Sequence, residues 1–113
     1  MKLLALAIAL LTGLAPIGSH ACKCMGLPDY DAVFQGRVLK TSIHRSEPLR
    51  YSEVQLSVTH RIKGRLGQAV TVYSPAPVLM CGVSFETGQQ YLVYAKLVKE
   101  RYETMECYGT KQL

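Results

Sequence analysis

The stretch YSEVQLSVTHRIKG, residues 51–64, alternates apolar and polar side chains over nearly its whole length. Successive side chains of a β-strand point to opposite faces, so a period of two predicts a strand with one buried face. The buried face would carry Val54, Leu56, Val58, His60 and Ile62, and the exposed face Glu53, Gln55, Ser57, Thr59 and Arg61. We therefore predict a half-buried strand, with His60 in the core or at the end of a barrel rather than bound to a metal.

Four further segments on either side of this stretch also have the character of strands. They are AVFQGRVLKT (32–41), AVTVYSP (69–75), YLVYAKLV (91–98) and KERYETMECYG (99–109), the last of which gives a strand after a charged hairpin. Gly36, in the middle of the first segment, predicts a bulge or a sharp bend. Helical periodicity is weak everywhere after residue 22, which leaves room only for a short helix within 25–32. Five strands in a chain of this length predict an all-β fold, a five-stranded Greek-key barrel of the oligomer-binding (OB) type.

The N-terminal segment, MKLLALAIALLTGLAPIGSHA, has a lysine followed by an apolar run from Leu3 to Leu14. Small residues occupy the third and the first positions before Cys22. This layout is typical of a cleavable secretory signal peptide, and the run is shorter than the roughly 18 apolar residues of a spanning helix. We therefore predict a signal peptide at 1–21, one mature domain at 22–113, and secretion to an extracellular or periplasmic location.

The charge and the polar residues argue against several classes of function. The formal net charge is +5, or +4 without the signal peptide, and the basic residues are scattered along the chain, so we expect no nucleic-acid partner. We also expect a monomer with no stable membrane insertion. His44 and His60 lie on separate segments without a third ligand at a useful spacing, and no acid–base dyad or nucleophile–histidine pair stands out. We predict a protein that is not an enzyme and has no intrinsic cofactor. The alternative is a barrel face on which bases or sugars would stack against the rings of Tyr91, Tyr94 and Tyr102.

Four cysteines, at positions 22, 24, 81 and 107, are typical of two disulfides in a short exported chain. A bond between Cys22 and Cys24 would close a small, strained ring. We therefore expect each of these two cysteines to bond to one of the distant pair, which would hold the start of the mature chain against its body. The alternative is a redox dithiol at Cys22 and Cys24, with Cys81 bonded to Cys107.

Several motifs together resemble one known family. The mature chain would open with Cys-Lys-Cys, and DAVFQGRV and THRIKG follow at the first and second strands. The segment VYSPAPVLMCGVSFETGQQYLVYAK (72–96) then gives a strand, a proline-bearing loop, Cys-Gly, a turn and a Tyr-Leu strand, and TMEC (104–107) supplies the last cysteine. Over nearly all of 22–107 the chain resembles the N-terminal, netrin-like domain of the tissue inhibitors of metalloproteinases.

The resemblance implies a barrel with the disulfides Cys22–Cys81 and Cys24–Cys107, and a secreted inhibitor of zinc metalloproteases. In that family the N-terminal cysteine chelates the catalytic zinc of the target enzyme through its α-amino nitrogen and its carbonyl oxygen. The zinc belongs to the protease. The residues that would contact the partner form two edges of one wedge: Cys22, Lys23, Cys24 and Met25 on one, and Leu79, Met80, Cys81 and Gly82 on the other.

Lys23 departs from the small or hydroxylated residue that familiar inhibitors carry in the pocket next to the zinc. A lysine can bury its aliphatic stem, but its ammonium group requires water or a carboxylate. Because a fold does not settle function, the alternative is a non-inhibitory netrin-like module that keeps the fold and the disulfides and binds a matrix, cell-surface or envelope partner elsewhere.

Overall fold

The computed structural model describes Cys24 and residues 29–46, 49–76 and 81–113. The predicted signal peptide at 1–21 lies outside the described residues, and so does the first half, 25–28, of the range in which a short helix is expected. Residues 29–31 are not helical and 32 opens a strand. Among the described residues, no helix is long and apolar enough to cross a membrane.

The described chain is mostly β-structure. Its strands are β1 (Ala32–Ser46), β2 (Leu49–Lys63), β3 (Ala69–Pro75), β4 (Gln90–Val98), β5 (Arg101–Glu103) and β6 (Lys111–Gln112), with one 3-10 turn at Glu106–Tyr108. The all-β prediction is confirmed. The last strand predicted within 99–109 forms after a hairpin turn at Lys99 and Glu100, as expected, but it is short. Only Arg101–Glu103 pair as β5 before the chain enters the 3-10 turn that carries Cys107.

Five of the strands close into a ring. β1 pairs with β2, β2 with β3, β3 with β5, β5 with β4, and β4 with β1 again. Every pairing in the ring is antiparallel except that of β3 with β5, which is parallel. β6 adds two residues to the start of β4, opposite Tyr91 and Leu92. A closed ring leaves few exposed strand edges and encloses one core.

The core fills the inside of the ring and draws on four of its strands. The buried cluster consists of Ala32, Phe34, Val38, Val54, Leu56, Val72, Tyr91, Val93 and Ala95. Val54 and Leu56 are both 0% exposed, so the predicted phase of the alternating stretch is confirmed. His60 is exposed and does not belong to the core. β3 pairs with β2 only as far as Ser57, so the residues of β2 that follow Ser57 extend beyond the end of β3.

The predicted irregularity at Gly36 is confirmed. The register between β1 and β2 shifts between Gln35 and Gly36, as a β-bulge does. A Cβ atom at Gly36 would lie 3.0 Å from the carbonyl oxygen of Ser57 and 3.1 Å from the ring of Phe34. Glycine therefore allows β1 to approach β2 closely enough to bend around the core.

Candidate functional site

Three of the eight residues predicted to contact a partner lie in the described part of the chain: Cys24, Cys81 and Gly82. The other five lie outside the described residues: Cys22, Lys23, Met25, Leu79 and Met80. The described part of the predicted site is its base, meaning the contacts that fix Cys24 and the segment beginning at Cys81.

Cys24 is joined to Cys107 by a disulfide. The two cysteines are separated by 83 positions in the sequence, and their Cα atoms are 5.3 Å apart. Cys107 is the middle residue of the 3-10 turn, which ends at Gly109 in the left-handed conformation with φ of 95°. This bond is one of the two pairs that the resemblance implies, and it holds an exposed residue near the start of the predicted mature chain against the end of the barrel.

Cys81 contacts the same 3-10 turn. Its carbonyl oxygen accepts a hydrogen bond from the backbone N–H of Glu106 at 2.8 Å. Cys81 is itself disulfide-bonded, and Cys22, the partner that the resemblance implies for it, lies outside the described residues. Two neighbouring residues, Glu106 and Cys107, therefore hold Cys81 and Cys24, which brings the base of both predicted edges to one point of the molecule.

The backbone at Cys81 is unusual. Its φ is 68°, in the left-handed region that costs a non-glycine residue roughly 1–2 kcal/mol. Such a conformation persists where surrounding contacts over-determine it. Here the Glu106 hydrogen bond on one side and the packing of Gly82 on the other supply those contacts.

Gly82 and Val83 fasten the segment to the end of β3. Gly82 is buried, and a Cβ atom placed on it would collide with the carbonyl oxygen of Pro75. The N–H of Val83 donates a hydrogen bond to the hydroxyl oxygen of Ser74 at 2.9 Å. The segment that starts at Cys81 is thus fixed at two successive residues by β3.

A cluster of aromatic side chains packs beside the 3-10 turn and helps to hold it in place. The Tyr30 hydroxyl donates to the carbonyl oxygen of Tyr108 at 2.9 Å, and the Tyr30 ring lies 5.1 Å from that of Tyr94 and 5.4 Å from that of Tyr108. Burial, followed by the neighbouring phenols of Tyr108 and Tyr94, raises the pKa of Tyr30 above its ordinary value of 10.0. Tyr30 therefore remains a neutral donor at physiological pH.

Two buried threonine hydroxyls complete the support on the barrel side. Oγ1 of Thr104 donates to the carbonyl oxygen of Tyr94 at 2.8 Å, and Oγ1 of Thr110 accepts from the N–H of Tyr94 at 2.9 Å. The two hydroxyl oxygens are 2.6 Å apart. Because Thr104 precedes the turn and Thr110 follows it, this network fixes both ends of the segment that contains Cys107.

A second group of side chains, which the sequence did not reveal, lies where the start of β2, the end of β3 and β5 meet. The guanidinium of Arg101 lies 3.8 Å from the centre of the Tyr73 ring and 4.7 Å from that of Tyr51. His44 stacks on the other side of this group, with its ring 5.0 Å from that of Tyr51 at an angle of 11°. Its Nε2 lies 3.0 Å from Oε1 of Glu53, at ion-pair distance but without the alignment of a hydrogen bond.

The stacking platform considered from the sequence, Tyr91, Tyr94 and Tyr102, does not form. Tyr91 is 1% exposed, and its hydroxyl accepts from the N–H of Glu86 and donates to the carbonyl oxygen of Ser84. Tyr102 packs against the core. The alternation of β2 placed Glu53 on its polar face, but only the strand register brings Tyr51, Tyr73 and Arg101 together beside it.

Metal-ligand geometry and similarity to known proteins add two findings. Within the described ranges, no group of three or more histidine, cysteine, aspartate or glutamate side chains comes together as a metal site. No model of a known protein family matches the chain, and no curated protein matches its sequence.

Proposed function

We propose that this protein is a secreted inhibitor of zinc metalloproteases, with Cys22 as its reactive N-terminus after removal of residues 1–21. The target protease supplies the zinc. The mature domain, 22–113, is proposed to be a netrin-like Greek-key barrel of the OB type. A closed five-stranded ring with a parallel contact between β3 and β5 supports this finer assignment.

One observation carries the proposal: Cys24 and Cys81 are fixed to adjacent residues of one turn. Cys24 is bonded to Cys107, and the carbonyl oxygen of Cys81 accepts from the N–H of Glu106. Chain ends normally fray, and a segment that is already ordered loses less conformational entropy on binding. A support of this kind is what a protruding N-terminal residue would need in order to act as a rigid ligand.

The proposed chemistry follows from what catalytic zinc requires. Such a zinc keeps one coordination position open for water or substrate. The α-amino nitrogen and the carbonyl oxygen of Cys22 would form a five-membered chelate there and displace the water. An α-amino group titrates near pH 8, so the metal takes the neutral amine at small cost near neutral pH.

Lys23 would set the selectivity of the inhibitor. Next to Cys22 its side chain would enter the first primed-side pocket of the protease, where its ammonium group favours a pocket that contains a carboxylate. Replacement by threonine should then strengthen inhibition of enzymes with apolar pockets and weaken inhibition of enzymes whose pocket is acidic.

The test is an N-terminal extension. The mature protein is first screened against a panel of zinc endopeptidases, and inhibition constants are measured for the enzyme that is inhibited most strongly. One alanine added before Cys22 should abolish inhibition, because it moves the amine away from the metal and puts bulk in its place. Carbamylation of the α-amine should do the same by removing the nitrogen lone pair. An alanine added after Leu113 is the matched control and should leave the inhibition constant unchanged.

Circular dichroism must show that all variants are folded. If the extended protein inhibits as well as the natural one, or if no zinc endopeptidase in the panel is inhibited, chelation by Cys22 is wrong. The protein is then better explained as a netrin-like binding module that recognises a partner through another surface.

A further inference from the structure

A cavity of about 300 Å³ opens where the start of β2, the end of β3 and β5 meet. Its larger apolar and aromatic lining residues are Tyr51, Tyr73, Met105 and Tyr108. This volume is at the lower end of the range for small-molecule sites, which combine an apolar lining with a few polar groups that fix the orientation of the ligand. The lining of this cavity has that composition.

The polar group in the best-defined position is the guanidinium of Arg101. It lies over both tyrosine rings, 3.8 Å from the centre of Tyr73 and 4.7 Å from that of Tyr51. Its Nε is buried and has no hydrogen-bond partner among the described residues, and no ion pair between Arg101 and another described residue is present. Stacking fixes the plane of a guanidinium but leaves its terminal N–H groups in that plane available to an anion.

The charges around the cavity favour an anion that carries a single charge. Arg50, which is exposed, contributes a second guanidinium to the lining, and Glu103 contributes one carboxylate. Glu53 interacts with Tyr73 and has His44 at ion-pair distance, but it does not line the cavity. The lining itself therefore carries a net charge of one positive unit, which matches a monoanion better than a doubly charged phosphate.

We propose that this cavity binds a small monocarboxylate with an apolar or aromatic body. The carboxylate would lie on the terminal nitrogens of Arg101, with Arg50 closing over it, since a planar fork of N–H donors matches the two oxygens of a carboxylate. The body would pack between Met105 and Tyr108. A guanidinium that only covered the two tyrosines would require neither a second arginine nor a cavity beside it.

The probe for the test is 3-phenylpropionate, added to the isotope-labelled mature protein and followed by two-dimensional NMR. We expect saturable shifts confined to the amides around Tyr51, Tyr73, Thr104 and Met105. The uncharged analogue 3-phenylpropionamide should bind at least about tenfold more weakly, because hydrogen bonds to a charged group contribute about 1.5–3 kcal/mol.

Three variants locate the site. Arg101→Gln should weaken binding of 3-phenylpropionate about tenfold or more, and Arg50→Gln severalfold, whereas Lys111→Gln, which removes an exposed charge on β6, should leave it unchanged. Arg50→Gln keeps the test decisive if Arg101→Gln does not fold, because Arg50 is exposed. Equal binding of the acid and the amide, or equal binding by Arg50→Gln and the natural protein, would overturn the proposal.

The outcome is independent of the proposed inhibition. None of the cavity residues belongs to the segments that would contact a protease. The variant with an alanine before Cys22 should therefore bind 3-phenylpropionate as the natural protein does, whether or not it inhibits a metalloprotease.

Discussion

The hydroxyl oxygen of Ser74 accepts a hydrogen bond from the backbone N–H of Val83 at 2.9 Å. Ser74 is 1% exposed near the end of β3, and Val83 follows two residues after Cys81. The position of the Cys81 segment is thus set by a buried side chain of the barrel. Contacts of this kind can be removed one at a time without changing any residue that would meet a partner.

Replacing Ser74 by alanine should lower the free energy of unfolding by about 1–3 kcal/mol, because the N–H of Val83 loses its acceptor in a partly buried place. Urea unfolding followed by circular dichroism measures this change. Ser84→Ala is the matched control, since Ser84 is exposed and its backbone carbonyl oxygen, which accepts from Tyr91, is kept. Equal urea midpoints for the two variants would show that the Ser74 hydroxyl does not hold the segment.

Two glycines should respond very differently to alanine. A Cβ atom at Gly82 would collide with the carbonyl oxygen of Pro75, so Gly82→Ala should lower the thermal midpoint sharply or prevent folding. Gly88 has open space around it and a φ of 87°, so Gly88→Ala should cost only the roughly 1–2 kcal/mol of a left-handed non-glycine residue. Thermal unfolding of both variants is the measurement, and a Gly88 variant that is the less stable of the two would contradict this packing.

The disulfide between Cys24 and Cys107 should contribute strongly to stability. It closes a loop with a sequence separation of 83, for which chain entropy predicts about 4.5 kcal/mol. The double variant Cys24→Ala with Cys107→Ala should therefore unfold at a much lower denaturant concentration than the natural protein. Peptide mapping without reduction should recover Cys24 joined to Cys107, and we expect Cys22 joined to Cys81. Finding Cys24 joined to any other cysteine would contradict both the structure and the proposed wedge.

Two tyrosines, Tyr73 and Tyr30, should ionise at a higher pH than a free phenol. Burial, and after it the charge and hydrogen bonding of Glu53, raise the pKa of Tyr73 above its ordinary value of 10.0, while Arg101 lowers it. The pKa of Tyr30 is raised as well. A pH titration followed by absorbance near 295 nm should therefore show tyrosines that ionise late. The Tyr73→Phe variant should have one fewer of them than the natural protein. Glu53→Gln should move Tyr73 back towards its ordinary value.

The same shifts set the alkaline limit of stability. A phenol whose pKa is raised by folding is neutral in both states below its unfolded pKa, so its contribution is fully present there. As the pH rises above about 10, the unfolded chain ionises first and stability falls until the folded pKa is passed. These two tyrosines should leave the urea midpoint constant from neutral pH to about pH 9. Above pH 10 the midpoint should fall, and it should fall less steeply in the Tyr73→Phe variant than in the natural protein.

The sequence predicted the strands better than the segments that join them. The alternation in residues 51–64 gave the correct buried face at Val54 and Leu56, and Gly36 marked a real bulge. Both signals are local, since they depend on the period of a strand and on the space beside a backbone. The same alternation extended to His60 was misleading, because burial at that position depends on where a neighbouring strand ends.

The last third of the chain was less predictable. The segment from 99 to 109 predicts a last strand after a charged hairpin, and Lys99 and Glu100 do turn with positive φ. Only three residues then pair as β5, however, before the chain follows Cys107 into a 3-10 turn. Cys107 in that turn is bonded to a residue 83 positions away, a constraint that local strand preference does not contain. The cluster of Tyr51, Tyr73 and Arg101 was also missed, since it depends on the register of β2 against β3 and on the parallel contact of β3 with β5.

The sequence by itself determined that the chain is built of strands, which face of β2 is buried, and where β1 bends, because each of these is decided by side chains within a few positions of one another. Only the tertiary structure decided that five strands close into a ring and that Cys24 and Cys81 meet at Glu106 and Cys107. It also decided that Arg101 lies over two tyrosines from other strands. Those arrangements depend on contacts between residues far apart in the chain, whose geometry is fixed by strand register and packing and leaves no periodic mark on the sequence.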